Sequence, residues 1–174
     1  MTHRLALLLL ALALAGSGAH AEDLFLRKAG HWQLRMADGD SRKPPVVIEQ
    51  CLGADTDARL AELGRELTKK MCSKTDAHRT GSAYVVDSVC DPGIGGKAST
   101  HQVTTMSGDG AYRTVSTIHY DRPLPDGKSD ATNSIEAKWL GACPADMKPG
   151  DQIMKISPDG AKVIRTNLLD AMAR

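Results

Sequence analysis

Large rings are nearly missing from this sequence. Its 174 residues hold two tryptophans, three tyrosines and one phenylalanine. A core with so few rings must be filled by Val, Ile, Leu, Met and Ala, most of which bury less area each. Stability then leans on something further, and the four cysteines are the candidates. An excess of either charge is missing too, since 22 basic residues face 21 acidic ones. Such balance argues against a dedicated nucleic-acid surface, which shows a marked basic excess. No two cysteines stand two to four residues apart. That removes the redox dithiol motif and the usual spacing of a zinc site. No His-x-His or His-x-x-x-His pair forms a local metal site, and no Gly-x-Ser-x-Gly elbow exposes a nucleophile.

What is present starts with an address. His3 and Arg4 precede an apolar run from Leu5 to Ala15, then Gly16-Ser17-Gly18 and the small-x-small site Ala19-His20-Ala21. This is the three-part plan of a secretory signal peptide. The run is too short for a bilayer core, which needs about 20 apolar residues. The expectation is a signal peptide over residues 1–21 and one periplasmic domain over residues 22–174, with no transmembrane span. The first cysteine is Cys51. None stands at the cleavage point to carry a lipid, so a lipoprotein is not expected.

An oxidising compartment and an even cysteine count predict two disulfides among Cys51, Cys72, Cys90 and Cys143. Three connectivities exist, and hairpin geometry favours one. If Thr80-Gly81-Ser82 is a three-residue loop, Arg79 faces Ala83 and Cys72 lies opposite Cys90, within reach of a bridge. The other bridge is then Cys51 to Cys143.

Most of the chain reads as strand. Trp32, Leu34 and Met36 alternate with His31, Gln33 and Arg35, giving one apolar face. Val46 to Gln50 follows Pro44-Pro45 and completes a first hairpin. Leu60, Leu63, Leu67 and Met71 form a narrow apolar stripe, so residues 55–71 are predicted as a helix packed on the sheet and capped by Asp55 or Thr56. From Cys72 to Gly141, strands separated by short turns predict antiparallel neighbours. Gly93-Ile94-Gly95-Gly96 reads as a turn, and Asp38 with Asp40 as a solvated loop. Gln152–Ile156 and Lys162–Arg165 flank Ser157-Pro158-Asp159-Gly160 as a last hairpin, followed by a short helical end. The fold class is α+β, mainly β: an antiparallel meander with scope to curve, one packed helix and two disulfides.

Three stretches now resemble a known pattern. Gly30-His31-Trp32-Gln33-Leu34 resembles an opening Gly-x-Trp-Glu/Gln strand, and Gln50-Cys51-Leu52 a Gln-Cys-Leu step before a helix. Trp139-Leu140-Gly141-Ala142-Cys143-Pro144 resembles a closing Trp-Leu-Gly-x-Cys-Pro. In this order they resemble the bacterial secreted family catalogued as "domain of unknown function 3617", over roughly residues 29–145. Gly53-Ala54 departs from the Thr-Pro often found after Cys-Leu. The resemblance implies a small periplasmic β-rich domain and no activity. Cys51 and Cys143 both lie in matched motifs, as the proposed bridge requires. Trp32, Trp139 and Gly141 stand out as structural anchors at the two ends of the matched segment.

One constellation remains. If Ser107 faces Ala111, His101 faces Thr117 and His119 faces Ser99, leaving the two histidines diagonal on one face within reach of a shared ligand. Ser116, His119 and Asp121 are close in sequence, yet nothing there exposes a nucleophile. The reading is therefore a non-enzymatic periplasmic binding module for a small or lipidic ligand, with no cofactor, metal or nucleic acid. Its alternative is a protein-interaction module, an inhibitor or accessory factor of an envelope enzyme.

Overall fold

The computed structural model describes residues 25–39, 43–93, 96–156 and 162–172. The leader expected over residues 1–21, Asp40, Ile94-Gly95 and the expected turn at residues 157–160 lie outside them. The elements run β1 (Gly30–Asp38), β2 (Val46–Leu52), α1 (Thr56–Met71), β3 (Cys72–Thr80), β4 (Ala83–Cys90) and β5 (Ala98–Ser107). They continue with β6 (Ala111–Tyr120), β7 (Asp130–Gly141), β8 (Asp151–Lys155), β9 (Val163–Asn167) and α2 (Leu168–Met172). All nine strands form one antiparallel sheet in the order β3-β4-β5-β6-β7-β1-β2-β8-β9. The sheet does not close, because β3 and β9 do not pair.

Alternation selects the core face. Trp32 and Leu34 of β1 are buried there beside Ile48 and Leu52 of β2, Tyr112 of β6 and Ala137 of β7. The register sets them side by side: Leu34 opposite Ile48 and Ala137, and Ala137 opposite Tyr112. Four of the six rings, those of Phe25, Trp32, Tyr112 and Trp139, are gathered here, with Tyr112 5.0 Å from Phe25 and 5.8 Å from Trp32 between ring centroids. Thr104 and Thr114 are also buried on this face, and their hydroxyls share a 2.8 Å hydrogen bond. Buried threonines are thus satisfied by each other across β5 and β6.

The predicted loop at Thr80 is one residue too long. Thr80 pairs directly with Ala83, leaving the two-residue turn Gly81-Ser82 with Gly81 at φ 59°. A two-residue hairpin turn with positive φ at its first central residue needs glycine there. The pairing then runs one residue off the expected register as far as Lys74 opposite Val89, and a bulge at Ser73 restores Cys72 opposite Cys90. Both predicted bridges are formed, Cys72–Cys90 and Cys51–Cys143.

The helix reveals the shape of the sheet. α1 leaves the Leu52 end of β2 and delivers the chain to Cys72, six strands away and about twelve residues further along the strand direction. In a flat sheet those points lie ~50 Å apart. Sixteen helical residues span ~24 Å, and the three residues before them add at most ~10 Å. The sheet therefore curls toward the core face, and α1 crosses the hollow as a diagonal strap. The expected packing of the whole apolar stripe needs correcting. Leu60 packs on the core, but Leu67 and Met71 remain nearly half exposed, since the strap lifts away from the curled floor. Nor does a side chain cap the helix at Asp55. The Thr56 hydroxyl instead accepts the Gly53 N–H at 2.9 Å and fixes the turn from β2.

On the outer face, Glu49 accepts a hydrogen bond from Lys155 at 2.7 Å and lies 3.4 Å from His31. The Lys155 hydrogen bond, opposed by partial burial, holds the Glu49 carboxyl below its ordinary value of 4.5. A depressed carboxylate stabilises the fold above its unfolded pKa, and that contribution is lost as pH falls through the folded one. Glu49→Gln is expected to flatten the loss of melting temperature between about pH 5 and about pH 3, by an effect under about 1 kcal/mol. A wild-type acid limb retained in that variant would show that Glu49 does not contribute.

Candidate functional site

One end of the curled face is sealed. Trp32 and Trp139 are direct neighbours on β1 and β7, near the middle of the sheet rather than at opposite ends. Their indoles donate to the carbonyls of Lys28 and Ala29 at 2.8 and 3.0 Å, and the Lys28 ammonium lies 3.7 Å above the Trp139 ring. Residues 25–29 are thereby held over the core. Gly30, at φ 130°, allows the close approach, because a Cβ there would collide with the Trp139 indole nitrogen and the Gly141 carbonyl. Gly141 sits where the β1–β7 pairing shifts register, at φ 120°.

A buried polar chain completes the seal. The Arg27 guanidinium donates to Asp57 Oδ1 through Nε at 3.0 Å and Nη2 at 2.5 Å, and its backbone N–H reaches Oδ2 at 2.5 Å. Nη1 donates to Gln50 at 2.8 Å, and Gln50 donates to Gln152 at 2.8 Å. Burial works against the Arg27 cation, but Asp57, with Tyr112, more than offsets it and raises its pKa. Burial pushes the Tyr112 phenol up, opposed by Arg27. Asp57 also lies in the first turn of α1, where a negative charge suits the helix dipole.

The other end is open. The apolar rows of the core face continue past Leu34 and Ile48 to Met36, Val46 and Ile135, which lie opposite one another on β1, β2 and β7. Neither the N-terminal arm of residues 25–29 nor α1 lines this end. An open cavity of about 420 Å³ stands over these three side chains, with Ser116, Asn133, Asp38 and Lys43 around it. Met36 is 39% exposed on its floor. A second, more polar cavity of about 700 Å³ shares Asp38, Lys43 and Asn133 and extends to Asp126 and Lys128. Together they offer an apolar floor of ligand-sized volume with charged groups at one end.

On the outer face the expected register of β5 and β6 is observed, with Ser107 opposite Ala111, His101 opposite Thr117 and His119 opposite Ser99. The two histidines line one cavity of about 330 Å³. They share no carboxylate: His101 pairs with Asp87 and His119 with Asp130, each at 2.8 Å. Ser116 lies on the core face and donates to Gln102, so Ser116 and His119 point to opposite faces of β6 and form no triad. Among the described residues, no three His, Cys, Asp or Glu side chains come together as a metal cluster.

Sequence reasoning did not single out Met36, Val46 and Ile135 as a site. Each reads as an ordinary inward strand position, and only the course of α1 shows which of them stay uncovered. Arg27 and Asp57 were missed because nothing local links residues 30 apart. No helix among the described residues is long and apolar enough to cross a membrane. The two disulfides are consistent with an exported protein.

No curated protein and no solved structure matches this chain. Residues 27–143, from the arginine of the buried chain to the cysteine that closes the longer bridge, match the family described as "Protein of unknown function (DUF3617)", and the chain belongs to that family.

Proposed function

We propose that this protein is a periplasmic, non-catalytic binding module for a small amphiphile, with the apolar part on Met36, Val46 and Ile135. The observation that carries this reading is the uncovered stretch of core face over those residues, bordered by Asp38, Lys43, Asp126 and Lys128. An apolar floor alone would suit a hydrocarbon. The charged border gives a polar headgroup a place to stay hydrated while its chain leaves water, at about 25 cal/mol for each Å² covered. The leader and the two disulfides support an extracytoplasmic setting.

Titration with cis-parinaric acid, a fatty acid that fluoresces when shielded from water, tests the reading. Saturable binding of about one molecule per chain is expected. Met36→Glu places a charge on the floor at an already exposed position and is expected to weaken binding about tenfold or more, with the melting temperature unchanged. Wild-type protein without saturable binding, or a Met36→Glu isotherm matching wild type, would remove the groove from consideration.

A further inference from the structure

The geometry points to a divalent transition-metal site held by His101 and His119 on the outer face, opposite the apolar floor of Met36, Val46 and Ile135. Sheet register brings the ligands together. His101 and His119 are diagonal neighbours on β5 and β6, at ~7–8 Å between backbones and somewhat less between Cβ atoms. Two imidazoles can grip one ion across such a span, and both line the same cavity with Ser99 and Thr117.

Chemistry adds a second argument. The carboxylates of Asp87 and Asp130 lie 2.8 Å from Nδ1 of His101 and His119, on β4 and β7 directly opposite each histidine. An ionised carboxylate only accepts, so in the neutral imidazoles each Nδ1 carries the proton and each Nε2 keeps its lone pair. A carboxylate behind the ring and a lone pair in front is how proteins orient and strengthen metal-binding histidines. The surrounding charges favour a cation. Asp76 stands opposite Asp87 and adds a third carboxylate, with His78 3.9 Å from it, while Lys74 on the cavity wall supplies the opposing charge. Imidazole donors select zinc, copper or nickel over magnesium or calcium. The protein supplies two ligands, and water fills the remaining positions because both rings are more than half exposed.

Zinc chloride titrated into the full chain at mildly alkaline pH, followed by imidazole nitrogen NMR and calorimetry, tests this. One ion per chain is expected to shift the Nε2 resonances of His101 and His119 together, leaving those of His31 and His78 in place. Alanine at either ligand is expected to weaken binding by more than about tenfold, and Asp87→Asn or Asp130→Asn by about tenfold. Acidification should release the ion as protons compete for the lone pairs. Unaltered melting temperatures would confirm that these exposed replacements leave the fold intact. Unchanged zinc affinity in a doubly alanine-substituted, folded variant would overturn the assignment, as would a shift at only one of the two histidines.

Discussion

Replacing Cys51 and Cys143 by serine is expected to lower the melting temperature by on the order of 10 °C or more, and to do more damage than replacing Cys72 and Cys90. The two bridges close loops of very different size, with sequence separations of 92 and 18 residues. In the chain-entropy account these correspond to roughly 4.6 and 3 kcal/mol of constraint on the unfolded chain, as upper values. Each kcal/mol moves the melt of a domain this size by about 2–4 °C. Packing points the same way. Cys51 is 1% exposed, buried with Met147 and Ile153 beside Cys143, whereas Cys72 and Cys90 are only half-buried. The bridge also joins the end of β2 to the chain leaving β7, the two strands that flank β1. Scanning calorimetry of both serine pairs decides the matter, and equal melts would show that neither loop length nor burial governs the effect.

Asp57→Ala is expected to cost about 3–5 kcal/mol, the loss associated with stripping a buried cation of its counter-ion. The Arg27 side chain is 12% exposed and that of Asp57 8%, so water cannot take the missing carboxylate's place. The same substitution removes a negative charge from the first turn of α1. Replacing both residues, as Arg27→Met with Asp57→Leu, is expected to cost less than Asp57→Ala alone, because no charge is left stranded. Urea unfolding of the two variants supplies the comparison. A double variant less stable than the single one would show that the pair contributes through something other than mutual neutralisation.

How far the sequence led depends on the range of the interaction. The alternation of Trp32, Leu34 and Met36 marked the core face of β1, and setting Ser107 opposite Ala111 gave the register that places His101 and His119. Both are local signals. The Cys72–Cys90 bridge followed from a loop read one residue too long, and a bulge at Ser73 cancelled that error by bringing Cys72 back opposite Cys90. The pairing of β1 with β7 and of β2 with β8 had no local signal at all. Those pairings determine where the strap runs, and hence that Leu67 and Met71 stay exposed and that Met36, Val46 and Ile135 form an open floor. A helical stripe predicts an apolar face and says nothing of whether the surface beneath curls away. Arg27 with Asp57 is invisible for the same reason: the network exists only once α1 has been laid over the arm.

The order of strands has a consequence for the chain before it is folded. β1 comes first in sequence but sits inside the sheet, between β2 and β7. Whenever the chain emerges from its N-terminus, β2 arrives at once, while Trp32 must wait for Trp139. Throughout that interval the first hairpin shows an unpaired edge carrying Trp32 and Leu34, a template on which a second chain can pair. The strands from β3 to β6 face no such delay, because each finds its neighbour next in line. The longest exposure of a strand edge in the first hairpin therefore falls during the chain's emergence, before β7 is made.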